Sequence, residues 1–249
     1  MIEMSLEAEH RPWPLPEGPW IMSQDWRSLL FAHWPLPVEA LRPFVPAALP
    51  LDLFDGHAWL GIMPFRITGA TVRFVPPVPW VSDFAELNVR TYVTLEDKPG
   101  VYFFSLDAAS ALAVAAARQF FHLPYYEASM EVRHEGGWVQ YSSYRIDSKE
   151  APADLVGRYR PAGDVFHARK GSLEYFLAER YCLYTLDESG QVYRGEIHHP
   201  PWPLQPAEAE LTQNTMAQAQ GICLPDSPPL LHFAIYQPTL IWPLEPVQI

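Results

Sequence analysis

The chain has 249 residues, of which 49% are hydrophobic and 18% are charged, and its formal net charge is −12. This length is enough for one large β domain with a substantial core. The charged fraction is below the usual quarter, which is typical of a chain that encloses a cavity or makes subunit contacts, so the sequence is compatible with a homo-oligomer. The acidic balance, without any basic stripe, argues against nucleic-acid binding.

The N-terminal segment and the apolar runs bear on location. Residues 1–20 are acidic and broken by prolines, unlike a signal peptide. No apolar run approaches the roughly 18 residues of a membrane span. Two cysteines, Cys182 and Cys223, form no CxxC motif and predict no disulfide framework. We therefore expect a cytoplasmic protein that does not bind membranes.

Proline is abundant, with 27 residues, about twice ordinary usage. These prolines lie among aromatic and branched residues, where they punctuate strands. No shift in composition marks a domain boundary, so we expect residues 1–20 to form an arm and residues 21–249 to form one domain. About a dozen strands with two or three helices predict a mainly β fold. We expect a closed antiparallel barrel or cone, because closure removes exposed edges.

Several elements can be placed in chain order. Residues 26–34 read as a strand that ends at a proline pair, and residues 76–79 as a rigid proline-rich loop. A turn at residues 98–100 separates the next two strands, and residues 151–163 read as a loop. A second capped helix is predicted within residues 172–180.

The strand at residues 86–95 carries a row of polar side chains on one face. Glu86, Asn88 and Arg90 follow one another at strand period, about 7 Å apart. Such a face is either solvated or lines the interior of a barrel. Both interpretations stay open at the level of the sequence.

Residues 110–122 form a helix that is apolar nearly all round. Leu112 and Phe120 lie on one side and Val114 nearly opposite, which predicts a buried helix. A buried Arg118 on that helix would need a carboxylate or an anionic ligand. Arg118 therefore either forms an internal salt bridge or faces a cavity.

A third group lies near the end of the chain. Glu196 and His198 share one face of a strand, where the carboxylate either takes part in acid–base chemistry or orients the ring. Trp202 follows in a proline-rich segment. No HExxH motif or third metal ligand occurs at a suitable spacing, and no G-x-S-x-G motif is present. We expect neither a metal nor any other cofactor.

Five segments of the sequence carry a resemblance to a known family. They are FAHWPLP (31–37), ELNVRTYV (86–93), YFFSLDA (102–108), ERYCLYT (179–185) and RGEIHHPPWPLQPAEAE (194–210). In these strings the chain resembles the YqjF-like family of uncharacterised proteins. That family is grouped with the acetoacetate decarboxylase-like superfamily, whose fold is an antiparallel β-barrel or cone around a largely apolar pocket.

The resemblance also implies roles for individual residues. Decarboxylases of the superfamily carry YLD, then G-R-E, four further residues and P-K-K. By this resemblance Arg118 falls on the family arginine, Tyr125 on the Schiff-base lysine and Tyr126 on the lysine that lowers its pKa. Glu86 matches a pocket carboxylate through a strand alignment that needs a gap. A phenol cannot form an imine, so the resemblance does not extend to Schiff-base chemistry.

The sequence therefore predicts a small-molecule pocket for a small carboxylate or keto compound. Tyr125 and Glu86 are the candidate catalytic residues, and a lyase- or hydrolase-like activity without a Schiff base is expected if the chain is an enzyme. The candidate ligand-binding residues are Asn88, Arg90, Arg118, His198 and Trp202, the last two at the mouth. Two alternatives are a non-catalytic carrier protein and a structural homo-oligomer whose barrel is filled by side chains.

Overall fold

The computed structural model describes residues 6–74, 82–147 and 151–248. These parts contain eleven strands and three α-helices. The strands are β1 (Met22–Leu36), β2 (Ala58–Val72), β3 (Phe84–Leu95), β4 (Lys98–Ala108), β5 (Tyr125–Glu135), β6 (Trp138–Arg145), β7 (Asp154–Pro161), β8 (Cys182–Leu186), β9 (Val192–His198), β10 (Gln205–Asn214) and β11 (Leu230–Pro246). The helices are α1 (Val38–Leu41), α2 (Ala111–Phe121) and α3 (Leu173–Ala178).

All eleven strands belong to one sheet that closes on itself twice. Strands β1, β2, β3, β4 and β11 are common to both closures. Strands β8 and β9 complete the first ring, and β5, β6, β7 and β10 complete the second ring. Most neighbours are antiparallel, whereas β4 runs parallel to both β5 and β8. The predicted closed, mainly β fold is confirmed, in the form of two rings that share a wall.

Strand β3 belongs to that wall, and most of its residues are buried on both faces, as they are in parts of β1 and β2. Leu87 and Val89 pack in the same hydrophobic cluster as Tyr141 and Tyr159, which come from β6 and β7 of the second ring. The Tyr141 hydroxyl donates a hydrogen bond to the backbone oxygen of Glu86 at 2.7 Å. The second ring is therefore filled by side chains, and β3 presents its alternate residues to the first ring.

The connection between β3 and β4 differs from the predicted turn at residues 98–100. The chain reverses at Glu96 and Asp97, whose φ angles are 52° and 58°. A two-residue turn with two positive φ angles matches the twist of the flanking strands, and acidic side chains tolerate it when glycine is absent. Pro99 and Gly100 consequently lie inside β4.

The loop predicted at residues 151–163 contains strand β7. Arg158 and Arg160 on this strand pair with Glu210 and Glu208 on β10, at 2.9 Å and 2.7 Å. These cross-strand ion pairs were not visible from the sequence, because the acidic partners lie about fifty positions away. Strand β1 also runs on past the proline that was expected to end it. The proline-rich loop predicted at residues 76–79 lies outside the described residues.

Helix α2 has the predicted extent but not the predicted burial. Ser110 caps its first turn by accepting a backbone hydrogen bond, and His122 ends it in the left-handed region, at φ 49°. Val114 is buried, whereas Leu112 and Phe120 are 68% and 72% exposed. The helix packs mainly against β5 and β4, and several of its residues are left in solvent. The helical wheel predicted burial because alanines make every side of this helix look apolar, although alanine is also common on exposed helix faces.

The N-terminal segment lies against β9 of its own chain. Arg11 is buried and bonds to the Glu196 carboxylate at 3.0 Å, and the Trp13 indole donates to the same carboxylate at 2.8 Å. Lys98 reaches it from β4 at 3.1 Å. The Glu196 carboxylate thus anchors this segment, and the division of the chain at residue 20 stays a prediction.

A buried ion pair ties β4 to β6. Two parallel hydrogen bonds, 2.7 Å and 2.8 Å long, join the Arg145 guanidinium to the Asp107 carboxylate. The two side chains are 1% and 0% exposed, and the Tyr126 ring lies 4.2 Å from the guanidinium carbon. Removing either partner would leave an uncompensated charge in the interior.

We therefore expect Arg145→Met to lower the free energy of unfolding by about 3–5 kcal/mol, because it leaves the buried Asp107 carboxylate without its ion-pair partner. Urea denaturation at neutral pH measures this change. The matched control is Arg158→Met, since that arginine and Glu210 are 46% and 56% exposed, and exposed pairs contribute at most about 1 kcal/mol. Equal losses in the two variants would contradict the assignment.

Candidate functional site

A cavity of about 260 Å³ lies inside the first ring. All seven strands of that ring contribute to its walls, and α2 covers one end. Most of the lining side chains are aliphatic or aromatic. The polar ones are Gln24, Thr71, Glu86, Asn88, Arg90, Tyr125, Arg180, His199 and the indole of Trp202.

Glu86, Asn88 and Arg90 all face this cavity. The polar row on β3 therefore lines the interior of the ring, which is one of the two interpretations that the sequence left open. The row faces inward because the alternate residues of β3 pack in the filled second ring. Glu86 and Asn88 are buried, and Arg90 is partly buried.

Glu86 and Tyr125 form a hydrogen-bonded pair at one end of the cavity. The Tyr125 hydroxyl donates to Oε2 of Glu86 at 2.8 Å. The parallel pairing of β5 with β4 sets Tyr125 beside Leu106 and so within reach of β3. Burial raises the pKa of Glu86 to about 8; the hydrogen bond from Tyr125 opposes the rise and the nearby Asp107 adds to it. Burial, together with Glu86, also raises the pKa of Tyr125 well above its ordinary value.

Arg90 lies toward the other end of the cavity and has no acidic partner. Its Nη2 donates to the backbone oxygen of Leu177 at 3.2 Å and lies 3.5 Å from the Tyr92 hydroxyl. Among the described residues no carboxylate forms an ion pair with Arg90, and its buried Nε finds no hydrogen-bond acceptor there. A guanidinium in an apolar cavity is costly without an anion.

Arg180 is a second arginine at that end, and sequence reasoning missed it. Its Nη1 pairs with Oδ2 of Asp52 at 2.6 Å, and its guanidinium stacks on the rings of Tyr92 and Phe176. The charge of Arg180 is thus balanced within the protein, which leaves Arg90 as the surplus cation. The signal in the sequence was an arginine two residues before the apolar strand β8.

Two more polar atoms on the cavity wall have no partner among the described residues. They are Oδ1 of Asn88 and Nε1 of Trp202, both on buried side chains. The Trp202 ring stacks on Trp26 at 5.9 Å and meets Phe31 edge-on at 4.9 Å. A bound molecule or water can satisfy such groups.

Arg118 lies outside the cavity. Its Nη2 pairs with Oδ2 of Asp147 at 2.7 Å, its Nε donates to the backbone oxygen of Tyr125, and its side chain is 45% exposed. It therefore forms an ion pair at the surface and does not face the ligand space. The prediction that it borders the pocket was wrong, because α2 is not enclosed.

His199, rather than His198, lines the cavity. Ile197 and His199 face inward, so His198 shares the opposite face with Glu196, against the N-terminal segment. Burial lowers the pKa of His199 to about 4, and its ring stacks on Tyr181 at 4.6 Å. The sequence prediction had therefore assigned the wrong face of this strand to the cavity. Trp202 does line the cavity, as a wall residue.

Three features are absent from the part of the chain that the structure describes. No side chain with a primary amine occurs among those that line the cavity. No group of three or more His, Cys, Asp or Glu side chains in this part of the chain could hold a metal ion. None of its helices is long and apolar enough to cross a membrane.

Comparisons with known proteins agree with this architecture. The family model DUF2071, described as an uncharacterized conserved protein, matches residues 23–237. The uncharacterized protein YqjF of Bacillus subtilis (strain 168) is 50% identical over 231 residues, which cover 93% of this chain and 94% of that protein.

Several solved structures share the fold. Acetoacetate decarboxylase from Legionella pneumophila superposes with a TM-score of 0.62 at 14% identity, covering 95% of this chain and 91% of its own. An acetoacetate decarboxylase-like enzyme from Sphingomonas wittichii RW1 has a TM-score of 0.62 at 12% identity, with 96% and 98% coverage. The enduracididine biosynthesis enzyme MppR, complexed with pyruvate, has a TM-score of 0.62 at 10% identity, with 94% and 92% coverage. The chain therefore belongs to the DUF2071 family, as a YqjF-like protein with the acetoacetate decarboxylase-like fold.

Proposed function

We propose that this protein binds a small carboxylate that carries a keto or similar oxygen in the cavity of the first ring, and that it does so without forming an imine. The carboxylate pairs with Arg90, and the second oxygen accepts a hydrogen bond from Glu86. The observation that carries this proposal is the unbalanced Arg90 guanidinium on an otherwise largely apolar wall.

The electrostatics of the cavity favour an anion at Arg90. Arg180 is already paired with Asp52, so one positive charge is left over at this end. Charge-assisted hydrogen bonds between a guanidinium and a carboxylate are strong, particularly where water is excluded. Apolar walls with a few convergent polar groups are typical of small-molecule sites. The cavity volume also weighs against a barrel filled by its own side chains.

Glu86 supplies a proton donor at the other end. With its pKa raised to about 8, this carboxyl group is mostly protonated at neutral pH. Tyr125 donates to Oε2, which leaves the other oxygen to hold the proton and donate it to a ligand oxygen. A neutral carboxylic acid held in this way can act as a general acid toward a carbonyl.

An imine mechanism is not supported. By the family resemblance Tyr125 occupies the position of the Schiff-base lysine, and the described cavity wall offers no other amine. MppR, with the same fold, was solved with pyruvate, which supports a keto acid as the kind of ligand this architecture accommodates. A cytoplasmic location and a homo-oligomeric state remain predictions.

The second candidate is a carrier that binds the same ligand without turnover, and the absence of an amine on the described cavity wall favours it. Proton NMR of a bound keto acid over several hours separates the two. New product signals, lost in Tyr125→Phe, indicate an enzyme. An unchanged spectrum indicates a carrier.

We expect no covalent adduct when the protein is treated with borohydride in the presence of pyruvate or acetoacetate, because a phenol cannot form an imine. Intact-protein mass spectrometry measures this outcome. A stable adduct that requires the keto acid would overturn the proposed chemistry, and peptide mapping would then identify the lysine responsible.

We expect Arg90→Gln to weaken binding of those keto acids that the protein binds by about 10- to 100-fold, since a hydrogen bond to a charged group contributes about 1.5–3 kcal/mol. Calorimetric titration with keto acids of increasing length, from pyruvate and acetoacetate to levulinate and 6-oxoheptanoate, measures the affinities. The control is Arg66→Gln, whose guanidinium pairs with Asp83 at the surface and should not affect affinity. The proposal fails if none of the acids binds, or if both variants bind like the unmodified protein.

Glu86 should also make the stability of the protein depend on pH. An unfolded glutamate titrates near pH 4.3, as an approximate reference value, whereas the pKa of Glu86 in the folded protein is about 8. Between these values the folded state keeps a proton that the unfolded state has lost. The free energy of unfolding therefore falls as pH rises, by up to about 1.4 kcal/mol per pH unit from this group.

Glu86→Gln removes the group that titrates. The free energy of unfolding of the variant should therefore fall less steeply as pH rises, so that the variant becomes more stable relative to the unmodified protein toward about pH 8. Urea denaturation at several pH values measures the difference. Glu131→Gln alters an exposed glutamate on β5 and should leave the pH dependence unchanged. Parallel curves for all three proteins would show that folding does not raise the pKa of Glu86.

A further inference from the structure

We infer, building on the proposed function, that the cavity selects acids whose carboxylate and second oxygen are separated by about 7 Å, and not 2- or 3-keto acids. The groups that would hold these two oxygens lie at opposite ends of the cavity, on the same strand. The ligand class is then a medium-length keto acid with about five carbon–carbon bonds between the two functional groups.

The separation follows from the geometry of β3. Glu86 and Arg90 are four residues apart on one strand face, which corresponds to about 13 Å at strand rise. In the register shift between β3 and β4, the extra residue is Phe104 on β4. Strand β3 itself is therefore regular between Glu86 and Arg90. Two hydrogen bonds of about 3 Å each, one at either end, leave about 7 Å between the ligand oxygens.

The Arg90 side chain turns away from Glu86 and so does not shorten this distance. The Arg90 guanidinium points toward Tyr92 and the backbone oxygen of Leu177. Arg180 and its partner Asp52 lie at that same end, since Asp52 also bonds to the backbone of Tyr92 at 2.9 Å.

The other end is built from different elements. Tyr125 of β5 holds the Glu86 carboxylate, and Ala113 and Ala117 of α2 line the cavity. Asn88 lies between the two ends, with its Oδ1 unpartnered among the described residues. The carbonyl of a 3-keto acid, two bonds from its carboxylate, cannot reach Glu86 while its carboxylate binds Arg90.

The volume of the cavity agrees with this length. A cavity of about 150 Å³ accommodates benzene, with its six carbon atoms. By proportion, 260 Å³ corresponds to about ten non-hydrogen atoms. The linear acid 6-oxoheptanoate has ten such atoms and five carbon–carbon bonds between its carboxyl and keto carbons. Apolar side chains such as Met63, Phe65 and Phe103 line the cavity and can pack against its methylene groups.

The test is a calorimetric titration of the unmodified protein with 6-oxoheptanoate, heptanoate, levulinate and acetoacetate. We expect 6-oxoheptanoate to bind at least tenfold more tightly than acetoacetate, which cannot contact both ends. It should also bind at least tenfold more tightly than heptanoate, which lacks the second oxygen. Levulinate should fall between acetoacetate and 6-oxoheptanoate.

Two variants assign the ends of the ligand. Glu86→Met should abolish the preference for 6-oxoheptanoate over heptanoate, and residual binding of heptanoate shows that the variant is folded. Arg90→Gln should weaken both acids at least tenfold.

The outcomes separate this inference from the proposed function. Acetoacetate binding as tightly as 6-oxoheptanoate would overturn the length requirement and leave the proposed function intact. Equal binding of 6-oxoheptanoate and heptanoate would overturn the contact at Glu86 and with it this inference. Failure of every acid to bind would remove the proposed function itself.

Discussion

The structure depends on one constraint, namely that strand β3 has both of its faces buried. One face packs against the tyrosines of β6 and β7 and gives the second ring a solid core. The other face then has to look into the first ring, and its residues there are Glu86, Asn88 and Arg90. A strand that served only one ring could have turned these groups to solvent. The shared wall therefore produces the fold and the polar row of the cavity together.

Burial in this position sets the chemical state of each group in the row. Burial raises the pKa of the Glu86 carboxyl to about 8, and Tyr125 satisfies one of its oxygens. Arg90 cannot lose its charge, and a backbone oxygen is a weaker partner than a carboxylate. Arg180 is also a buried cation, but its charge is balanced by the Asp52 carboxylate. The difference between the two arginines is that Arg180 has its counter-ion within the protein, whereas Arg90 has none among the described residues.

Much of the fold could be predicted from the alternation of side chains along strands and from turn residues. Which face of a strand or helix points inward was harder to predict. The strand at Glu86 and the limits of α2 followed from local patterns, since capping and period two act within a few residues. Arg118 was misplaced because a helical wheel cannot tell an enclosed helix from an alanine-rich one at an edge. His198 was chosen over His199 because the inward phase of β9 is set by partners elsewhere in the chain. Arg180 was missed because Asp52 is 128 positions away.

Helix α2 separates the control of cavity size from the stability of the fold. Its inner side presents the small side chains of Ala113 and Ala117 to the cavity, while its outer side leaves Leu112 and Phe120 in solvent. Larger residues at the two alanines would shorten the cavity at one end without touching the core of the second ring. Relatives with this architecture can therefore diverge in the length of the cavity while keeping the same double-ring scaffold.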